Sequence, residues 1–401
     1  MTPGSVTERL VGDLPVTDAA GAAALVADDA TVLTSGFGSV GYPKAVPLAM
    51  AETDRDRSLT VVSGGTVGDE IDTDLLGTGA IDRRFPYQGT RAARDAVNAG
   101  SIAYGDRHVG GVADEVSFGL LADADVAVVE AVAVGEDWLV PSTSIGQTPA
   151  FVEAAPQLIV EVNRAQPLEL ARFHDVYRPS APPDRDPIPL SAPDGRIGDP
   201  FVPFDPEQLV AVVETDRPDS PYEFRDPTDD DLAIARHLAD FLADEVTRNP
   251  VLAESVILQF GVGSLGNALM GELSALDVGD RTLGYFGEVI QDGLLDLADR
   301  GRLAYASATS LALSRDGQHR LFDDLDRYAT DFVLRPTDVS NSPALVDRFG
   351  VVAVNSALEV DVYGHANSTH VDGSRVINGV GGSGDFTRNA LVSVLALPST
   401  A

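Results

Sequence analysis

Short apolar runs alternate with stretches of helical period along most of this 401-residue chain. Thr31–Thr34, Leu59–Ser63, Leu158–Val162 and Leu209–Val213 predict strands. Asp125–Val134 is a nearly unbroken apolar run, the pattern of a strand buried on both faces of a parallel sheet. Ala19–Ala27, Ala45–Ala51 and Thr90–Ala99 predict helices between them. Further on, Thr228 followed three residues later by Asp231 reads as a helix start, with Leu232, Ala235, Leu238, Leu242 and Val246 as the apolar face behind it. Strand–helix alternation of this kind predicts an α/β fold.

The second half is organised around Glu288. The apolar run Thr282–Phe286 ends in Gly287, and Val289, Ile290, Leu294, Leu295 and Leu297 follow at mixed three- and four-residue spacing. This predicts Glu288 at the junction of a strand and a helix, the edge of an open α/β sheet where ligands bind. A carboxylate there is a nucleophile, a base, or a helix N-terminal residue favoured by the dipole. The two halves also repeat each other. Gly36, Gly38 and Gly41 lie between a strand and a helix, and Gly261, Gly263 and Gly266 lie at one constant offset before the predicted helix Asn267–Leu273. Thr66 and Glu288 then occupy equivalent places one strand later, as a duplicated α/β domain requires. Proline-rich segments at 178–200 and 216–227 read as loop or linker. The second sets the expected boundary between domains 1–220 and 221–401.

Charge narrows the picture. Asp and Glu total 62 against 28 Lys and Arg, for a net charge of −34, and Lys44 is the only lysine. Acid spread along the whole length suits a protein working in concentrated salt, where screening removes self-repulsion. No basic patch is present to neutralise phosphates, so nucleic acid is not an expected partner. With no cysteine, thiolate metal sites and a Cys nucleophile are excluded. The histidines form no His-x-x-x-His pair, and no metal is expected at His365 and His370. No apolar stretch reaches the ~18 residues of a membrane helix, and the N-terminus shows no signal pattern. A soluble, cytoplasmic protein is expected.

The glycine turns carry candidate chemistry. Gly-x-Gly-x-x-Gly after a strand is the dinucleotide fingerprint when an acid ends the next strand. Glu288 meets that condition in the second half, whereas Ser63–Thr66 offers no acid in the first. A nicotinamide-dependent oxidoreductase is therefore one reading. The more general property is that bare N–H groups at a helix start hold an anion or an oxyanion. A denser cluster, Asn378–Phe386, lets the backbone approach a ligand closely. It follows the hairpin-like stretch Leu358–Val376 and precedes a predicted helix at Thr387–Leu397.

Three stretches together are distinctive: Gly261–Leu269 (Gly-Val-Gly-x-x-x-Asn-Ala-Leu), Gly287–Asp292 (Gly-Glu-Val-Ile-Gln-Asp) and Glu359–Val371 (Glu-Val-Asp-Val-Tyr-Gly-His-Ala-Asn-Ser-Thr-His-Val). With Asn378–Asn389, and with Ser35–Pro47, Phe85–Gln88 and Pro141–Gly146 upstream, they resemble the acetyl-CoA hydrolase/transferase family over most of the chain. The resemblance implies two related open α/β domains of the CoA-transferase type with mainly parallel sheets. It implies transfer of coenzyme A between an acyl-CoA and a small carboxylate, or to water, through a glutamyl-CoA thioester on Glu288. By the same resemblance Val262, Gly263, Ser264, Leu265, Gly381 and Gly382 provide the oxyanion and CoA contacts, and Asn341 is an auxiliary residue beside the glutamate. Gly65, Thr66 and Tyr87 are the expected acyl pocket. Coenzyme A is then substrate and covalent intermediate, no cofactor is permanently bound, and the assembly expected is a homodimer. Members of the family continue past the last residues here, Pro398–Ala401, so the alternative expectation is a catalytically impaired acyl-CoA-binding remnant.

Overall fold

The computed structural model describes residues 6–86, 89–262, 264–273 and 281–399. Two sheets carry the architecture. The first contains β1 (Thr31–Thr34), β2 (Leu59–Ser63), β3 (Ile81–Phe85), β4 (Ala103–Tyr104), β5 (Val126–Val134), β6 (Trp138–Pro141), β7 (Leu158–Asn163), β8 (Val202–Pro203) and β9 (Leu209–Thr215). Its parallel body runs β4-β3-β2-β1-β5-β7-β9; β6 adds antiparallel to the far half of β5, and β8 adds antiparallel to β6. All nine residues of β5 are buried, as its apolar run predicts. Each fully buried valine there contributes roughly 1.5–3 kcal/mol.

The second sheet is parallel throughout. It contains β10 (Ser255–Phe260), β11 (Thr282–Phe286), β13 (Tyr305–Ala308), β15 (Phe332–Leu334), β16 (Val352–Ser356) and a terminal strand, Val392–Ala396, in the order β15-β13-β11-β10-β16-terminal. β12 (Val289–Ile290) and β14 (Ser310–Leu311) form a separate parallel pair. In each large sheet the first strand is central, three strands are added on one side, and the chain then returns to the other side. The repetition seen in the glycine spacing is thus present in the topology. Both sheets have a switch point, β1/β5 in one and β10/β16 in the other, where ligands bind open α/β folds.

The repeated glycines do not make the same turn. Gly36, Gly38 and Gly41 have φ of +126°, +68° and +67°, a left-handed loop that side-chain-bearing residues avoid. Gly261 and Gly266 show no positive φ, and the helix Ser264–Leu273 begins almost directly after β10. Two sequence expectations are corrected. Val289 and Ile290 do not open a helix: these β-branched residues pair with Ser310 and Leu311, and the helix starts at Asp292. Thr387–Leu397 is not a helix either. A short helix, Ser383–Thr387, ends there, and Val392–Ala396 joins the sheet edge with alternating burial.

The 178–200 segment is irregular, but it is docked on the second sheet. Leu190 is buried with Ile257, Phe286, Val339 and Leu345. Arg335, fully buried, pairs with Asp175, receives support from the Pro193 carbonyl at 3.0 Å, and bonds Ser307 Oγ at 2.8 Å. The 216–227 linker is anchored at Asp219. That carboxylate contacts Lys44 Nζ at 2.8 Å, Thr143 Oγ1 at 2.5 Å and the Gly41 amide at 3.2 Å. The lone lysine is therefore a buried counterion: burial alone would lower its pKa, and Asp219 and Glu130 outweigh burial and raise it. Across the junction, Phe37, Val109, Val289 and Ala312 form one small apolar cluster. The Ile145 amide donates to the Thr309 carbonyl at 2.9 Å, and the Leu311 amide to the Thr143 carbonyl at 3.0 Å.

Candidate active site

The two switch points face one cleft of about 610 Å³. The loop after β1 supplies Phe37, Gly38 and Ser39, and the turn after β2 supplies Gly65 and Thr66. Gly261 and Val262 follow β10, Glu288 follows β11, and Asn355–Ala357 close β16. Residues 377–383 complete the wall. The cleft therefore gathers Glu288, Val262, Gly381, Gly382, Gly65 and Thr66 from the sequence reading. Ser264 and Leu265 begin the helix after β10. Gly263 and Tyr87 lie outside the described residues.

Glu288 is held by backbone on one side and side chains on the other. Its carbonyl accepts from the amides of Thr309 (2.9 Å) and Ser310 (3.1 Å), so the residue sits between β11 and β12 and not at a helix N-terminus. Its carboxylate Oε1 accepts a 2.8 Å hydrogen bond from Asn341 Nδ2. Asn341 is fully buried and its Oδ1 accepts from Ser340 Oγ at 2.8 Å; the Glu288 and Asp385 carboxylates, as acceptors, fix which way the amide faces. The same Nδ2 lies 3.2 Å from Asp385 Oδ2, and Asp385 Oδ2 also accepts from the Gly110 amide at 2.9 Å. Glu288, Asn341, Asp385 and the start of the helix Val109–Ser117 thus form one chain across both domains.

Gly382 is fitted against the carboxylate. A Cβ there would stand 1.9 Å from Glu288 Oε1 and 2.5 Å from Asn341 Nδ2. Its φ of −98° and ψ of −2° suit any residue, so steric room alone demands glycine. Gly381 needs glycine for a different reason, a φ of +57°, and its carbonyl accepts from the Val109 amide at 3.1 Å.

Burial raises the Glu288 pKa to about 7; the Asn341 hydrogen bond opposes this and the nearby Asp385 charge adds to it. A carboxylate poised near neutrality beside bare backbone amides can act as a nucleophile whose product oxyanion is stabilised. The sequence reading included Asp385 only as part of a glycine-rich motif and gave it no role. Its signal was present: it is the single acid of Gly381–Phe386.

The chain matches the acetyl-CoA hydrolase/transferase N-terminal domain over residues 15–214 and the C-terminal domain of the same name over residues 317–401. It is 37% identical to the succinyl-CoA:acetate CoA-transferase of Clostridium kluyveri over 99% of this chain and 75% of that protein. It is also 37% identical to the propanoyl-CoA:succinate CoA transferase of Escherichia coli, over 95% and 79% of the two chains. The acetyl-CoA hydrolase of Eremothecium gossypii is 38% identical over 91% and 72%. Among solved structures, RipA from Yersinia pestis superposes with a TM-score of 0.71 at 21% identity, covering 96% of this chain and 82% of that one. The 4-hydroxybutyrate CoA-transferase of Porphyromonas gingivalis gives 0.61 at 19%, with the same coverage. The fold is the one these two proteins share.

Proposed function

Because the chain belongs to the acetyl-CoA hydrolase/transferase family and is an enzyme of the CoA-transferase and acetyl-CoA hydrolase class, we propose that Glu288 is its nucleophile and carries coenzyme A as a thioester. The Glu288 carboxylate attacks the carbonyl of an acyl-CoA, the C–S bond breaks, and a mixed anhydride and the CoA thiolate result. The thiolate attacks the glutamyl carbonyl, expelling the acyl group as its carboxylate and leaving glutamyl-CoA. An incoming carboxylate runs these steps in reverse and leaves as a new acyl-CoA; water in its place gives free CoA and Glu288. Two easier transfers replace one difficult one.

The observation that carries this reading is the contact of Glu288 with Asn341 and Gly382 inside the cleft. Asn341 orients one carboxylate oxygen, leaving the other for attack. The amides of Val262 and Gly382 are the proposed oxyanion donors, with Gly381 beside them and the helix start at Ser264 and Leu265 following Val262, and with Gly65 and Thr66 against the acyl group. Such donors act most strongly once bound substrate has displaced water from the cleft.

The acid-rich composition supports work in concentrated salt. Among the described residues no helix is long and apolar enough to cross a membrane. A cytoplasmic homodimer completes the proposal, and light scattering in molar salt tests the dimer. The activity is tested by exchange of labelled acetate into acetyl-CoA. Wild type is expected to exchange label or to release CoA, and Glu288→Gln to do neither. Turnover by Glu288→Gln at the wild-type rate would sink the assignment.

A further inference from the structure

Among the described residues that line the cleft, Arg94 is the one that bears a positive charge, and Glu288 the one that bears a negative charge. Arg94 lies in the first turn of the helix Arg91–Ala99. Thr90 caps that helix by accepting from the Ala93 amide at 3.1 Å. The Thr90 hydroxyl in turn donates to the Asp72 carbonyl at 3.1 Å, tying the helix start to the segment that follows the Gly65–Thr66 turn. The Arg94 guanidinium comes within 3.9 Å of where a Cβ on Gly89 would stand, and Gly89 is itself a cleft residue.

No described carboxylate pairs with Arg94. Arg84, Arg178 and Arg335 each hold an aspartate. In a chain with 62 acidic residues, a cleft-lining arginine left without one has its donors available for a ligand. A guanidinium presents a fork of N–H groups that matches a carboxylate or phosphate edge in two parallel bonds. Such short-range bonds persist in concentrated salt, where long-range attraction is screened.

We propose that Arg94 is the anion-binding residue of the cleft and takes an oxyanion of the substrate distal to the carbonyl that Glu288 attacks. This rests on the reading of Glu288 given above. The oxyanion is a second carboxylate on the acyl group or a phosphate of coenzyme A. The first is favoured because Arg94 shares the first-domain wall with Gly65 and Thr66. On that placement the enzyme selects dicarboxylic over monocarboxylic acyl groups.

The test uses Arg94→Gln and Arg94→Lys in the full chain in molar salt. The readouts are kcat/KM for succinyl-CoA against butyryl-CoA, kcat/KM for each CoA thioester against its dephospho-CoA counterpart, and the melting shift produced by succinate against butyrate. The glutamine variant is expected to lower the succinyl-to-butyryl ratio roughly 10- to 100-fold, the value of a hydrogen bond to a charged group. It should also abolish the succinate-specific melting shift, with partial recovery in the lysine variant. A collapse of the CoA-to-dephospho-CoA ratio alone would assign the anion to the phosphate. Unchanged ratios and an unchanged succinate shift would overturn the proposal. Should wild type form no covalent adduct, a succinate shift that depends on Arg94 would retain this site and reject the Glu288 reading alone.

Discussion

Replacing Glu288 by glutamine should make the folded protein more stable, and only above acidic pH. The pKa of this carboxyl is raised from 4.5 to about 7 by burial, with Asn341 opposing and Asp385 adding. Since the folded form holds its proton more tightly than the unfolded chain, stability falls as pH rises from about 4.5 to about 7 and then levels. At ~1.36 kcal/mol per unit, the displacement costs about 3 kcal/mol once the group is ionised. Glutamine keeps an acceptor for Asn341 Nδ2 and removes the charge. With about 2.1 cal/mol/K of unfolding entropy per residue over 401 residues, 3 kcal/mol corresponds to roughly 3–4 °C in Tm. The assay is a melting series of wild type and Glu288→Gln from pH 4.5 to 8.5 in molar salt. The difference between the two should be near a constant at the acid end and should open by that amount near pH 8. A difference that stays flat with pH would show that Glu288 is not a strained, buried carboxylate, and the argument for a poised nucleophile would fail with it.

The remaining predictions concern the same chain of contacts and the docked loop. Ionised Glu288 is the attacking form, so kcat/KM should rise about tenfold per pH unit below about 7 and flatten above it. Asn341→Ala removes a bond that favours the carboxylate and should move that limb to higher pH, whereas Asp385→Asn removes a like charge and should move it lower; pH–rate profiles decide both. Gly382→Ala places a methyl on the carboxylate without backbone strain. It should cost roughly 1–3 kcal/mol in melting through overpacking while cutting kcat more than about 100-fold, as measured by CoA release. Arg335→Met leaves Asp175 buried without its counterion and should destabilise by about 3–5 kcal/mol in urea titrations, an effect of the 178–200 segment's docking.

Much of the framework was legible because local and global signals agreed. The apolar period placed β2 at Leu59–Ser63 and the helix Ala45–Ala51 within a residue. Thr228 and Asp231 make the reciprocal capping bonds their spacing indicated, and the helix Asp229–Arg248 follows. The failures have physical causes. Val289–Ile290 fit a helical apolar spacing, but Ser310–Leu311 offers them strand hydrogen bonds that no local rule could foresee. Val392–Ala396 likewise becomes a strand through pairing with β16. The 178–200 segment has the composition of a linker, yet Arg335 and Leu190 hold it through contacts far apart in sequence. At the site, the strand-then-glycine pattern pointed to Glu288, and the family resemblance put Gly382 and Asn341 beside it. Asp385 and Arg94 needed the fold, because one acts through an asparagine from another element and the other reaches the cleft from the opposite domain.

The measurement that bears most directly on the account is the intact mass of the protein after mixing with acetyl-CoA in concentrated salt, followed by peptide mapping, with Glu288→Ala in parallel. The account predicts a CoA-sized adduct on the peptide containing Glu288, absent from the mutant and discharged by added acetate or slowly by water. A folded wild-type protein that turns over acetyl-CoA with no adduct, or with the adduct on another residue, would contradict it.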